Sequence, residues 1–211
     1  MSGPPDASRS VLPGAAAPAV ASDADLVALS LRGSERAFAD LVRRYERPIF
    51  SLIVRMVHDP AVAEDVAQET FLKAFRRLDT YDPTRKFSSW LFKIAHNATL
   101  DHLRRPNLDT LPLEGHGDDE TDFAAVLADE KSESPEAGVG RYDLARALDR
   151  GLRGLRPDYA EVLLLRFRQG LSYQEIAEVT GQPLGTVKTN IHRARKELAA
   201  ALGGLGWHLT D

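Results

Sequence analysis

"LSYQEIAEVTGQPLGTVKTNIHRARKEL", Leu171–Leu198, is the stretch on which the fold turns. Ser172 and Glu175 stand three residues apart at the head of an apolar-periodic run, the spacing of a capping box in which hydroxyl and carboxylate each satisfy a free amide of the first turn. Gly181 follows where a helix end needs a left-handed residue, and Pro183 is placed to open a second helix at its first position. A short helix, a tight turn and a second helix together predict a helix-turn-helix. Advancing about 100° per residue along the second helix puts Val187, Ile191, Ala194 and Leu198 in one narrow stripe. Thr189, His192, Arg193 and Lys196 fall on the opposite side, with Thr186 and Lys188 beside them. An apolar back that packs and a polar front carrying donors suit the major groove of DNA, although a solvated basic face has the same composition.

The basic segment belongs to an acidic chain of 211 residues with a formal net charge of −4. The charge is unevenly spread. Asn107 to Gly140 carries one lysine against ten acids, whereas Asp23–Pro106 and Arg141–Leu202 are each mildly basic. An average over the chain therefore hides two bodies that favour a negatively charged partner.

Working towards the N-terminus, Phe38, Leu41, Val42, Tyr45, Leu52, Ile53 and Met56 recur at helical spacing, with Pro48 expected to kink their helix. Asp59-Pro60 supplies an N-cap and an N1 proline for the next helix, whose buried face is expected to be Val62, Val66, Phe71, Phe75 and Leu78. A polar loop then leads to a Ser88 cap and a helix burying Leu91, Ile94, Ala95 and Ala98, which stops before Pro106. In the second body Leu144, Leu148, Leu152 and Leu155 repeat in the same way. No stretch alternates with period two, so the expected fold is all-α: two small helical bundles joined by a flexible acidic linker, the second containing the helix-turn-helix. The expected organisation is a disordered tail at 1–22, bundles at 23–106 and 141–202, the linker at 107–140 with a short helix in "DFAAVLADE", and a short tail at 203–211.

Composition narrows the function further. The chain has no cysteine, which excludes disulfides and thiolate metal sites and fits a cytoplasmic setting. No apolar run approaches the roughly 20 residues of a membrane span, so no membrane insertion is expected. Pro13 and Pro18 interrupt the weakly apolar Val11–Ala21, which argues against a signal peptide. The six histidines lack metal-ligand spacing and no glycine-rich phosphate loop is present, so neither a cofactor nor catalysis is expected.

Two surfaces in the first bundle carry chemistry. Asp65, Gln68, Glu69, Leu72 and Arg76 form a mixed stripe opposite the buried one, and an exposed Leu72 amid acids and amides suits a protein partner. Tyr81, Arg85, Lys86, Phe87, Trp90 and Lys93 interleave rings and cations, a pattern that suits single-stranded nucleic acid because rings stack on bases while cations hold phosphates. Asn97, Asp101 and Arg104 share one helix face beyond them. Packing of the rings in the core, and an intrahelical polar network at Asn97, Asp101 and Arg104, are the alternatives.

In order and spacing, "AFADLVRRYERPIFSLIVRMVHDPAVAEDVAQETFLKAF" with "FSSWLFKIAHNATLDHLRR", and "LRPDYAEVLLLRFRQGLSYQEIAEVTGQPLGTVKTNIHRARKEL", resemble regions 2 and 4 of bacterial RNA polymerase sigma factors of the extracytoplasmic-function (ECF) group. The resemblance implies a factor that binds core RNA polymerase, through the β′ clamp helices and the β subunit, and directs it to promoters. It places polymerase binding at Asp65, Gln68, Glu69, Leu72 and Arg76. Melting and capture of the promoter minus-10 element falls to Tyr81, Lys86, Phe87, Ser88, Trp90, Lys93, Asn97 and Arg104, and minus-35 reading to Thr186, Lys188, Thr189, His192, Arg193 and Lys196. It also implies an anti-sigma factor as a partner. Thr189 and Asn190 stand where the family often has Ser and Arg, and Ala160 where it often has Arg. The acidic segment is expected to thread the polymerase cleft, where ten acids imitate a polyanion or serve as a solubilising tether. A helix-turn-helix regulator with no polymerase contact is the alternative, and it leaves the stripe around Asp65 unexplained.

Overall fold

The structure is a computed structural model that describes residues 21–105 and 135–204, with side chains described from 143 onward in the second stretch. Residues 1–20 of the N-terminal tail, most of the acidic segment including "DFAAVLADE", and the end of the C-terminal tail lie outside the described residues. Among the described residues there are helices and turns and no strand.

Local chemistry sets the helix boundaries. Ser22 and Asp25 form a capping box that starts α1 (Asp23–Leu31), and the Ser34 hydroxyl accepts from the Ala37 amide to start α2 (Glu35–Val57). α2 runs through Pro48 as one element and ends at His58, whose φ of 58° is left-handed. Asp59 accepts from the amides of Ala61 and Val62 at 2.8 and 3.1 Å, with Pro60 first in α3 (Pro60–Arg76). These bonds satisfy donors that a helix start otherwise leaves open. After a 3₁₀ turn at Leu78–Thr80, α4 spans Phe87–Arg104.

Two expectations in this bundle are corrected. Phe75 is not buried: α3 buries Ala63, Val66, Ala67, Thr70 and Ala74, and this small-residue stripe turns Phe75 out to 55% exposure. Ser88 does not cap α4; the cap position is Lys86, without a side-chain bond, and Ser88 lies inside the helix, where its hydroxyl meets the Tyr45 phenol.

The second bundle holds α5 (Pro135–Arg153), α6 (Pro157–Leu163), α7 (Tyr173–Thr180) and α8 (Leu184–Gly204). α5 begins inside the expected linker, six residues before Arg141. α6 passes directly into a five-residue π-helical turn, Leu164–Arg168, and Gln169 closes it by donating to the Leu164 carbonyl at 3.1 Å. The helix-turn-helix follows the sequence closely. The Ser172–Glu175 box is formed, and Gly181 caps α7 with a φ of 67°. Pro183 stands just ahead of α8 rather than within it, its carbonyl accepting from Val187. A Cβ at Gly151 would lie 2.7 Å from Leu198 Cδ1, so α5 and α8 touch at that point.

The two bundles share one apolar core instead of standing apart: α2 packs on α6 and α4 packs on α7. Charged groups are buried at this junction. Arg55 on α2 donates to Asp149 Oδ1 at 2.8 Å and to the Ser51 carbonyl and hydroxyl at 2.9 Å. Burial pushes the Arg55 guanidinium below its usual range, while Asp149 acts in the opposite direction. His96 Nδ1 on α4 lies 2.6 Å from Glu161 Oε1 on α6, both side chains almost wholly buried.

The core and the caps contribute on different scales. Leu41, 1% exposed, is expected to cost about 2–5 kcal/mol when cut to alanine, and Asp59→Ala about 1 kcal/mol through its lost cap. Urea unfolding of the two variants checks the ranking, and an equal loss would contradict it.

Candidate nucleic-acid interface

The front of α8 is laid out as the sequence predicts. Val187, Ile191 and Ala194 are buried, while Thr186, Lys188, Thr189, His192, Arg193 and Lys196 are all exposed. The Thr189 hydroxyl donates to the Gly185 carbonyl at 2.9 Å, which leaves its methyl group and acceptor lone pairs for a partner. Asn190 behaves differently from its neighbours. It is buried, and its Nδ2 donates to Gln182 Oε1 at 3.1 Å, stitching α8 to the turn before it. Asn190 therefore serves the motif's internal geometry.

The ring-and-cation loop before α4 departs from expectation in one respect. Tyr81 and Phe87 are buried, and Trp90 is half-buried against them. Phe87 meets Tyr81, Tyr45 and Trp90 with ring centroids 5.5, 5.6 and 5.5 Å away, within the range of favourable aromatic pairs. The Tyr81 hydroxyl donates to the Arg85 carbonyl at 2.6 Å. Open stacking platforms at Tyr81 and Phe87 are thus corrected to an internal aromatic pillar that holds the loop, with Ser88 buried at its base. The exposed members are Arg85, Lys86, Lys93, Asn97 and Arg104. Three of these continue as a polar line along α4.

Beside that line, α3 presents the mixed stripe. Asp65, Gln68, Leu72 and Arg76 are exposed, and Glu69 is half-buried with a 2.8 Å ion pair to Lys73 that holds its carboxyl below the usual range. Leu72 at 56% and Phe75 at 55% form an exposed apolar patch, and Phe75 stands edge-on to Phe38 at 4.9 Å. Phe75 is a surface candidate that the sequence reading places in the core, while Phe38 is half-buried as its helical spacing predicts. The alanines at 63, 67 and 74 were the available signal, since a stripe of small residues marks the side a helix packs by.

Between α3, α4 and α7 lies a cleft of about 800 Å³, with Lys73, Arg76, Arg77, Lys93 and Arg104 on one wall and Glu178 and Gly181 on the other. Among the described residues no group of carboxylates or histidines is arranged to hold a metal, and no helix is long and apolar enough to cross a membrane. The arrangement offers hydrogen-bond donors and positive charge to a polyanion.

Comparison with known proteins gives matches to each of the two bundles. The family model Sigma-70 region 2 matches residues 41–107, and Sigma-70, region 4 matches residues 145–198. The chain is 38% identical over 176 residues to the ECF RNA polymerase sigma factor SigW of Bacillus subtilis (strain 168), covering 82% of this chain and 93% of that protein. It is 39% identical over 184 residues to the RNA polymerase sigma-H factor of Pseudomonas aeruginosa, covering 85% and 93%. Its fold is similar to that of CnrH, solved in complex with the cytosolic domain of CnrY, with 27% identity, a TM-score of 0.54 and coverage of 86% and 97%. The sigma factor RpoE of Bartonella quintana, solved with the anti-sigma factor NepR, has a similar fold at 21% identity and a TM-score of 0.53, covering 79% and 96%.

The pillar and the polar line should separate in a stability measurement. Phe87→Ala is expected to destabilise the fold by about 3–5 kcal/mol, whereas Lys93→Ala should stay within about 0.5 kcal/mol of the wild type. Similar denaturation midpoints for the two variants would return Phe87 to the surface.

Proposed function

From the premise that this chain belongs to the extracytoplasmic-function (ECF) RNA polymerase sigma factors, we propose which of its surfaces carry out the promoter-specific initiation of transcription that such a factor directs. The observation that carries the assignment is the front of α8, where six polar or cationic side chains stand exposed over a buried Val187, Ile191 and Ala194. Arg193, Lys188 and Lys196 hold phosphates or base edges of the minus-35 element, with Thr186, Thr189 and His192 as shorter-range readers. Minus-10 recognition belongs to the loop and helix at Tyr81, Lys86, Phe87, Ser88, Trp90, Lys93, Asn97 and Arg104. There the exposed Lys86, Lys93, Asn97 and Arg104 touch DNA, and the buried rings fix the loop's shape.

The stripe of Asp65, Gln68, Glu69, Leu72 and Arg76 docks on the β′ clamp helices, with Phe75 extending its apolar centre. Charged neighbours orient the encounter, and the apolar patch contributes the water-free contact. Region 4 engages the β subunit. Phosphodiester chemistry then belongs wholly to the polymerase, and the factor acts in the cytoplasm. Solved relatives bound to CnrY and NepR support an anti-sigma partner for this chain as well. A regulator that never meets polymerase has no support, because residues 41–107 match region 2.

Three measurements test the assignment. In a pull-down with core polymerase, Asp65→Arg combined with Glu69→Arg should abolish capture, and unchanged capture would remove the stripe from the interface. Arg193→Ala is expected to weaken binding to a minus-35 duplex by about 1–3 kcal/mol if Arg193 reads a base, and evenly across sequences if it holds phosphate. Run-off transcription over a promoter library reads both effects, and equal output with and without a minus-35 element would contradict the role of α8.

A further inference from the structure

Gly181, Gln182 and Pro183 separate α7 from α8, and a relay of polar groups spans them. Inside α7 the Thr180 hydroxyl donates to the Ile176 carbonyl at 2.9 Å. The Gln182 amide donates to that hydroxyl oxygen at a looser 3.4 Å, so the turn hangs on the last residue of α7. From the turn the Gln182 side chain reaches α8, where its Oε1 accepts from Asn190 Nδ2 at 3.1 Å. Asn190 is 9% exposed and Gln182 is half-buried. A bond this dry is costly to leave unmade, so the pair holds one arrangement.

The place of Asn190 on α8 gives that bond a lever on recognition. At about 100° per residue, Asn190 lies about 60° from Val187 and about 40° from Ala194 on one side, and about 40° from Thr186 and about 60° from Arg193 on the other. It therefore stands on the boundary between the row that packs and the row that faces out. Thr186 is four residues before it and Arg193 three after it, the spacings at which helix side chains are neighbours. The apolar back of α8 fixes the depth of the helix, but aliphatic contacts are non-directional and resist rotation about the helix axis only weakly. A hydrogen bond needs its donor aimed at its acceptor, so the Asn190–Gln182 bond supplies the missing direction.

We infer that Asn190 and Gln182 are positioning residues that determine sequence specificity: neither touches DNA, and their bond sets the rotation of α8 at which Thr186 and Arg193 meet base edges. The inference rests on the assignment of minus-35 reading to the front of α8 made above, and adds which residues aim that front. Base-edge contacts depend on direction, whereas long cationic side chains reach phosphates from a turned helix as well. Loss of the bond therefore lowers discrimination between sequences more than it lowers affinity. The clamp can bias the helix by no more than its own net contribution, which bounds the loss of discrimination at about fivefold.

The experiment assembles the full chain with core polymerase and presents promoter duplexes randomised across the minus-35 element, with the rest of the promoter held constant. Wild type is expected to enrich a preferred sequence. Asn190→Ala and Gln182→Ala should each reduce the ratio of Kd for a scrambled duplex to Kd for the preferred one by about fivefold. The double variant should lose no more than either alone, as two ends of one bond require. Because Gln182 is only half-buried, Gln182→Ala tests the bond where Asn190→Ala destabilises the fold. Gln182→Asn combined with Asn190→Gln keeps the same number of methylene groups between the two backbones and should restore the ratio. Equal weakening on both duplexes with an unchanged ratio, or additive losses in the double variant, overturns the inference.

A second arm reads the clamp without DNA. The free chain, which has no cysteine, takes spin labels at Gln174→Cys and Arg195→Cys, exposed positions on α7 and α8. The distance distribution is expected to be narrow in wild type, to broaden in each alanine variant and to narrow again in the exchanged pair. A distribution that ignores Asn190→Ala overturns the clamp even where wild type prefers one sequence. A wild type with no preferred duplex sinks the reading of α8 instead, and the labels then decide the clamp by themselves.

Discussion

A guanidinium cannot lie dry without a partner, and Arg55 is the point at which that constraint organises the molecule. It sits on α2 in the middle of the apolar run "SLIVRMV", where the helix period turns it inward with Leu52 and Ile53. Its own bundle provides Ser51, whose carbonyl and hydroxyl each accept one bond. The counter-charge comes from Asp149, 94 residues away on α5, which is itself held by Arg153. The pairing fixes which face of the second bundle meets the first. With α5 placed, α6 brings Glu161 to His96 and α7 comes to rest on α4.

The same economy of roles appears at the end of the turn before α7. One oxygen of Glu175 accepts from the Ser172 amide at 2.6 Å, completing the cap, and also from Lys86. Partial burial pushes the Glu175 carboxyl upward, but the bonds from Ser172 and Lys86 outweigh it and hold the group below its ordinary value. A folded value below the unfolded one means the stabilisation is complete above the ordinary carboxylate range and is lost as acid protonates the group. At neutral pH the helix start and the junction therefore share a charged oxygen.

What the sequence discloses and what it withholds divide along the range of the interaction. The Ser172–Glu175 box, the left-handed Gly181, the Asp59-Pro60 start and the two sides of α8 depend on residues within a few positions of one another, and each is legible in a short window. Phe75 and Ser88 go the other way. Their positions depend on which side of a helix finds a neighbour, and the alanine stripe of α3 and the Tyr45 phenol decided that from a distance. The burial of Tyr81 and Phe87 is of the same kind, since a ring beside a lysine reads alike whether it faces a base or another ring. Asn190 shows a subtler limit: a polar residue between exposed neighbours reads as surface, and only its bond to Gln182 gives the reason for its burial. Least legible of all are Arg55–Asp149 and Arg85–Glu178, where opposite charges nearly a hundred residues apart have no local signature.

The separation of back from front in α8 has a consequence for how such proteins diversify. Val187, Ile191, Ala194 and the Asn190–Gln182 bond carry the packing of the helix and its attitude to the turn, while Thr186, Lys188, His192, Arg193 and Lys196 project into solvent and support nothing beneath them. On the assignment proposed above, a substitution on that outer row alters what is recognised without disturbing what is folded. Duplicated copies of such a gene can thus drift apart in the promoters they serve, one exposed side chain at a time, while each intermediate remains a stable protein.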